Sequence, residues 1–142
     1  MTVLFDTNVV LDVLLDRVPF AETALLLFHR VERKSIQGYL CATTLTDIYY
    51  IARPAVGKET ALNRICELLD LFEIASVDRS ILKTAADGDF LDFEDAVLYE
   101  SAKRIDIDAI VTRNRDDFEK SDIPVYSPDD LNALLDLQAD DN

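Results

Sequence analysis

Glycine and proline are scarce in this 142-residue chain, at 3 and 4 copies. That scarcity excludes collagen-like and low-complexity architectures. Cysteine appears only twice, as Cys41 and Cys66, far apart and with no C-x-x-C pair. Neither a disulfide framework nor a zinc site follows from them, and they fit a reducing compartment. The single histidine, His29, lies among apolar residues of an expected helix. One imidazole excludes chemistry that needs an acid–base pair of histidines. No apolar run is longer than the five residues Ala24 to Phe28, whereas a membrane helix needs about 20. Asp6 falls inside what would have to be the apolar region of a signal peptide, so no export signal is expected. These absences predict a soluble, cytoplasmic protein with no membrane partner.

The chain is 49% hydrophobic, 8% aromatic and 30% charged, a composition that builds a core and is unlike a disordered tail. At this length one domain is expected, over residues 1–137, followed by a frayed acidic tail, 138–142. Charge is the unusual feature. Asp and Glu number 28 against 14 Lys and Arg, a net charge of −14. Such a surface repels nucleic acid unless cations or a local basic patch intervene. Asp outnumbers Glu 20 to 8, and only 5 Lys are present. A solvated surface, a salty cell interior and several acids converging on a metal all produce this balance. Composition does not choose among them.

Thr2 to Phe5 is a β-branched and aromatic run that predicts a first strand, ending at Asp6. Val9, Val10, Val13 and Leu14 recur at helical spacing, predicting a helix from Asn8 to about Asp16. Pro19 opens a second helix that runs to about Lys34. Tyr39 to Ala42 reads as a second strand, and Thr43 or Thr44 caps a third helix that Pro54 stops. A fourth helix follows Gly57, and Phe72 to Val77 is a third strand. Asp78 or Arg79 begins a short helix ending near Gly88, and Asp92 caps a long one to about Ile105. Ala109 to Thr112 and Val125–Tyr126 complete the strands before Ser127-Pro128 starts a last helix. Strands separated by helical segments require crossovers. The expected fold is therefore α/β, in three α/β/α layers around a mostly parallel sheet of four or five strands.

In such a sheet, ligands bind at the carboxyl ends of the strands. Acids stand at those ends or in the helical turn beyond. Asp6 follows strand one, Asp47 lies after strand two, Asp92 and Asp95 begin the long helix, and Asp116 and Asp117 follow strand four. Gathered carboxylates either share protons or hold a hard divalent cation, and oxygen ligands favour Mg²⁺ or Mn²⁺ over zinc. A plainer role is open for each acid. Asp6 can cap the first helix, and Thr44-Leu45-Thr46-Asp47 has the spacing of a capping box. Asp92 with Asp95, and Asn114 with Asp117, repeat that spacing. Capping does not explain why these acids share one edge of the sheet.

Four segments occur in order: Val3-Leu4-Phe5-Asp6-Thr7-Asn8-Val9-Val10-Leu11-Asp12, Thr43-Thr44-Leu45-Thr46-Asp47-Ile48-Tyr49-Tyr50, Asp92-Phe93-Glu94-Asp95-Ala96-Val97, and Ile110-Val111-Thr112-Arg113-Asn114 followed by Asp117-Phe118. Together they resemble the PIN domain family of metal-dependent ribonucleases, which includes VapC-type toxins. The resemblance runs from Val3 to about Leu135. It implies a PIN-like fold and hydrolysis of RNA phosphodiesters by metal-activated water. By the same resemblance Asp6 and Asp95 are ligands of Mg²⁺ or Mn²⁺, and Asp47 and Asp117 complete the site or hold a second ion. Thr112 and Asn114 orient acid or water, with Asp92 in support. An antitoxin protein and a second copy of the chain are the implied partners. Two departures stand out. Asp47 occupies a position where most of the family has Glu, so it stands about one methylene short. Asn114 occupies a position that is acidic in some relatives, with Asp117, or more weakly Asp116, as the alternative source of charge.

Arg113, Arg115 and Arg17 are the expected phosphate contacts; ion pairs with Asp116, Asp117 and Asp16 are the alternative for them. Other enzyme classes fit less well. A haloacid-dehalogenase phosphatase needs a second Asp two residues after the first, where this chain has Asn8. A PIN fold kept as a protein-binding module, its cleavage weak or lost, stays open on the Asp47 change and the charge of −14.

Overall fold

In the computed structural model, which describes residues 1–90 and 92–140, strand β1 (Thr2–Phe5) lies at the centre of a five-stranded sheet. β2 (Gln37–Cys41) and then β3 (Glu73–Ala75) flank it on one side, β4 (Ala109–Val111) and β5 (Val125–Tyr126) on the other. All pairings are parallel, with Leu4 opposite both Tyr39 and Ile110. Between β1 and β2 run α1 (Thr7–Leu14) and α2 (Ala21–Glu32); between β2 and β3 run α3 (Ala42–Val56) and α4 (Lys58–Leu71). α5 (Arg79–Asp87) and α6 (Phe93–Arg104) precede β4, a 3₁₀ turn (Arg115–Phe118) precedes β5, and α7 (Pro128–Asp140) closes the chain.

The pleat sorts side chains into two cores. Val3 and Phe5 of β1, with Ala109 and Val111 of β4, pack under α1, α2, α3, α4 and α7. Leu4 and Ile110, one residue along, pack under α5 and α6. The result is the three-layer α/β fold. Phe5, Phe28 and Phe72 meet edge to face, with centroids 5.1–5.9 Å apart. Gly38 lets that cluster close on β2, because a Cβ there would stand 2.7 Å from the Phe72 ring and 2.9 Å from Val31. Among the described residues no helix is long and apolar enough to cross a membrane.

Several boundaries differ from expectation. α3 begins at Ala42 and runs through Pro54 to Val56. Pro54 sits in its last turn, so the lost hydrogen bond falls at the exposed Tyr50, four residues back. Gly57, at φ 87°, ends the helix instead. With the helix started early, Thr44 and Asp47 lie inside it and form no capping box. β3 is shorter than Phe72 to Val77, and the 3₁₀ turn was read only as a cap spacing. α7 stays helical through Asp140, into the tail expected to fray, while residues 141 and 142 lie outside the described residues.

Candidate active site

Because every strand is parallel, the carboxyl ends of β1, β2 and β4 emerge at one edge, and the helices that follow begin there. A cavity of about 470 Å³ opens at that edge, lined by Asp6, Asp47, Asp92, Glu94, Asp95, Asn114 and Asp117, with Asn8, Thr44 and Arg17. Four chain segments far apart in sequence thus bring Asp6, Asp47, Asp95 and Asp117 together. Asp116 lines only the neighbouring clefts.

Asp6 does two things at once. As N-cap of α1 it accepts a hydrogen bond from the Thr7 amide at 2.8 Å through Oδ1. Its Oδ2 accepts from the Thr112 hydroxyl at 2.7 Å and from Asn8 Nδ2 at 3.2 Å. Thr112 is itself wholly buried, and its Oγ1 accepts the Asn114 amide at 3.0 Å, so the loop after β4 is tied to the acid after β1. Burial raises the Asp6 carboxyl above its ordinary value of 3.8, with a further push from Asp117. The hydrogen bonds from Thr112, Thr7 and Asn8 act in the opposite direction without cancelling it.

At the start of α6 the labour is divided. Asp92 is the cap, its Oδ1 accepting the amides of Glu94 at 2.8 Å and Asp95 at 3.2 Å. Asp95 is left to face the cavity. Burial, then the charges of Asp6, Asp92 and Asp117, push its carboxyl up from 3.8 to about 7, with no hydrogen bond offsetting them. Glu94, absent from the sequence-derived candidates, belongs to the same group. A hydrogen bond with Asp47, partial burial and the charges of Asp47, Asp92 and Asp95 push it from 4.5 to about 7. Crowding by like charges favours the protonated form of Glu94.

The arginines separate. Arg17 lines the acidic cavity and lies 3.7 Å from Asp12. Arg113 is committed to Asp12, with Nε 2.6 Å from Oδ2 and Nη2 3.2 Å from Oδ1, and its guanidinium lies 4.0 Å from the centroid of the Phe20 ring. Arg115 pairs with Asp130 at 3.3 Å and does not line the acidic cavity. The acids expected as alternative partners of the three arginines, namely Asp116, Asp117 and Asp16, are not the ones they take: Arg17 and Arg113 meet Asp12, and Arg115 meets Asp130. Asp12 was the residue missed. Its signal is an acid inside the apolar run Val9 to Leu15, which can be wholly buried only with a charged partner.

The donors at the cavity are all oxygen, which suits a hard cation such as Mg²⁺ or Mn²⁺, and the raised carboxyls mark a surplus of negative charge that a cation relieves. No group of three His, Cys, Asp or Glu among the described residues is already gathered closely enough to hold an ion. The fit rests on donor chemistry and on the shared edge. The sequence profile of the PIN domain matches residues 2–116. This chain belongs to the PIN domain family. The match takes in Asp6, Asp47, Asp95, Thr112 and Asn114 and stops one residue before Asp117. No curated protein matches this chain in sequence. Among solved structures it is similar to FitAB bound to the IR36 DNA fragment, with a TM-score of 0.69 and 22% identity over 89% of this chain and 94% of that one. A toxin–antitoxin complex from Klebsiella pneumoniae gives 0.67 and 23% over 89% and 97%. VapC20 of Mycobacterium tuberculosis, a sarcin–ricin loop cleaving toxin, gives 0.62 and 14% over 76% and 86%. At these identities the likeness is one of fold.

Proposed function

We propose that this PIN domain is a Mg²⁺- or Mn²⁺-dependent ribonuclease that hydrolyses RNA phosphodiester bonds, acting as the toxin of a toxin–antitoxin pair. The observation that carries the reading is the convergence of Asp6, Asp47, Asp95 and Asp117 on one cavity at the carboxyl edge of the sheet. Membership of the PIN family and the likeness of fold to toxin–antitoxin complexes support it. In this reading Asp6 and Asp95 are the metal ligands, and Asp47 and Asp117 complete the site. A bound divalent cation would lower the pKa of its water and offset charge on the phosphate. The Thr7 amide and Thr112 hydroxyl fix the Asp6 carboxylate in one orientation before any ligand arrives. Asp92 holds the first turn of α6 and so keeps Asp95 turned to the cavity. Glu94 lines the same cavity, its carboxyl pushed up to about 7 by Asp47, by burial and by the charges of Asp92 and Asp95. Arg17 is the cation that lines the cavity among the described residues, and it is the phosphate contact of this reading. Arg113 and Arg115 do not line that cavity and are held at 2.6 Å by Asp12 and at 3.3 Å by Asp130, whereas Arg17 approaches Asp12 only to 3.7 Å.

The partners are an antitoxin and a second copy of the chain. Leu25 and Leu26 of α2, Tyr50 and Ile51 of α3, and Leu62 and Leu69 of α4 are exposed apolar residues available to them. A cytoplasmic location, where RNA is found, completes the reading, and both cysteines are free. The test is cleavage of single-stranded RNA in Mn²⁺ and in chelator, for wild type, Asp6→Asn and Asp95→Asn. Cleavage that needs Mn²⁺ and is lost in both variants is expected. Wild-type protein that leaves RNA intact, or an Asp95→Asn protein that cleaves normally, overturns the reading and favours a binding module.

A further inference from the structure

Beside the acidic cavity lies a second one, also about 470 Å³, lined by Pro19, Phe20, Thr23, Arg113, Ser127, Pro128 and Asp129. This size falls within the range of small-ligand sites. The two cavities adjoin through two short pieces of chain. Asn114 lines the first and Arg113 the second. Arg17 lines the first, and its carbonyl accepts the Phe20 amide at 2.8 Å, Phe20 lining the second.

The geometry points to this second cavity as a nucleobase subsite, in which a base flanking the scissile phosphate stacks on the exposed surface of Phe20, whose ring Arg113 covers on one face. The inference rests on the ribonuclease reading and names how its substrate is held. Three observations carry it. First, Phe20 stays 41% exposed on a soluble protein's surface although it is a large aromatic, so ring surface remains for a second planar group. Second, Asp12 grips Arg113 through two contacts and holds its guanidinium plane 4.0 Å from the Phe20 centroid. An arginine fixed in this way cannot reach out to a phosphate; it lies over one face of the Phe20 ring and begins a stack that a base can extend. Unpaired RNA bases are recognised on such aromatic and guanidinium planes. Third, the chain carries a net charge of −14, and one cation lines the acidic cavity. Phosphate contacts therefore supply little of the affinity that basic surfaces usually give. Stacking on an uncharged base face escapes that limit.

The test uses the whole chain and two readouts. In Mn²⁺, kcat and KM are measured on a single-stranded RNA 8-mer and on the same 8-mer made abasic on both sides of the cleaved bond. Fluorescence anisotropy in chelator, where cleavage is not expected, measures binding of labelled forms of the same two oligonucleotides. Phe20→Ala and Phe20→Leu should each weaken binding of the normal 8-mer by roughly tenfold, a typical loss for one stacked base. KM should rise with little change in kcat, and Phe20→Trp should keep wild-type behaviour. On the abasic 8-mer, wild type should already show the loss, and the Phe20 variants should add nothing. Circular dichroism melting confirms that each variant folds. Wild-type binding that is the same with and without the bases overturns the inference, as does a Phe20→Leu protein that binds like wild type. A segment of a partner protein would then be the better occupant. If base-dependent binding appears without cleavage, the subsite stands and the ribonuclease reading falls. If cleavage needs Mn²⁺ but ignores Phe20, the reverse holds.

Discussion

Replacing Asp95 by Asn separates a carboxylate that repels its neighbours from one that supports a helix. Asp92 keeps the cap of α6, so the substitution removes charge without removing the N-terminal hydrogen bonds. The Asp95 carboxyl is pushed from 3.8 to about 7 by burial and by the charges of Asp6, Asp92 and Asp117. A rise of that size corresponds to roughly 4 kcal/mol in a water-free site. Asp95 is only half-buried, and solvent screening reduces the figure to about 1–2 kcal/mol. The sign follows from linkage. Well below pH 3.8 both folded and unfolded chains carry the protonated acid and no penalty arises. Between pH 4 and 7 the unfolded chain ionises first, so stability falls as pH rises, and above about pH 7 the loss is complete. Without metal, Asp95→Asn should therefore match wild type near pH 3 and exceed it by about 1–2 kcal/mol at pH 8. Urea unfolding at both pH values, followed by circular dichroism, measures the difference. A variant that is less stable than wild type at pH 8 by about 1 kcal/mol, the usual cost of a lost cap, would refute the reasoning.

Three further outcomes are expected. Asp12→Ala should destabilise the fold by about 3 kcal/mol in urea unfolding, since it strands Arg113 against Phe20, and Asp12→Leu with Arg113→Met should recover most of the loss. Gly38→Ala should cost about 1–3 kcal/mol, because the new methyl meets the Phe72 ring and Val31 well inside contact distance. The Glu94 side chain, followed by NMR, should titrate near 7 in the wild type and move toward 4.5 in Asp47→Asn, which removes the charge it faces.

The sequence made the sheet legible because each strand is a short β-branched or aromatic run between helices of clear period. Thr2–Phe5 and Val125–Tyr126 fall where the pattern puts them. The shared edge of Asp6, Asp47, Asp95 and Asp117 was legible for the same reason, since parallel strands put all their carboxyl ends on one side. Contacts made across the fold were not. That Arg113 turns to Asp12, 101 residues away, depends on α1 packing beside β4 and leaves no local mark. Glu94 was passed over because it sits beside Asp92 and Asp95 in a helix start where acids are favoured for the dipole alone. α3 ran past Pro54 because a proline in a last turn costs only one hydrogen bond, which pattern reading cannot distinguish from a stop.

The central claim is that these acids are gathered to hold a hard divalent cation, and Mn²⁺ titration of thermal stability tests it most directly. A ligand that binds only the folded state stabilises by about 2.7 kcal/mol at a hundredfold excess over its Kd. The melting temperature of the wild type should therefore climb steadily with Mn²⁺ concentration, while Asp6→Asn and Asp95→Asn stay flat, Asp95→Asn from a higher metal-free value. Equal melting temperatures for wild type in saturating Mn²⁺ and in chelator would contradict the account.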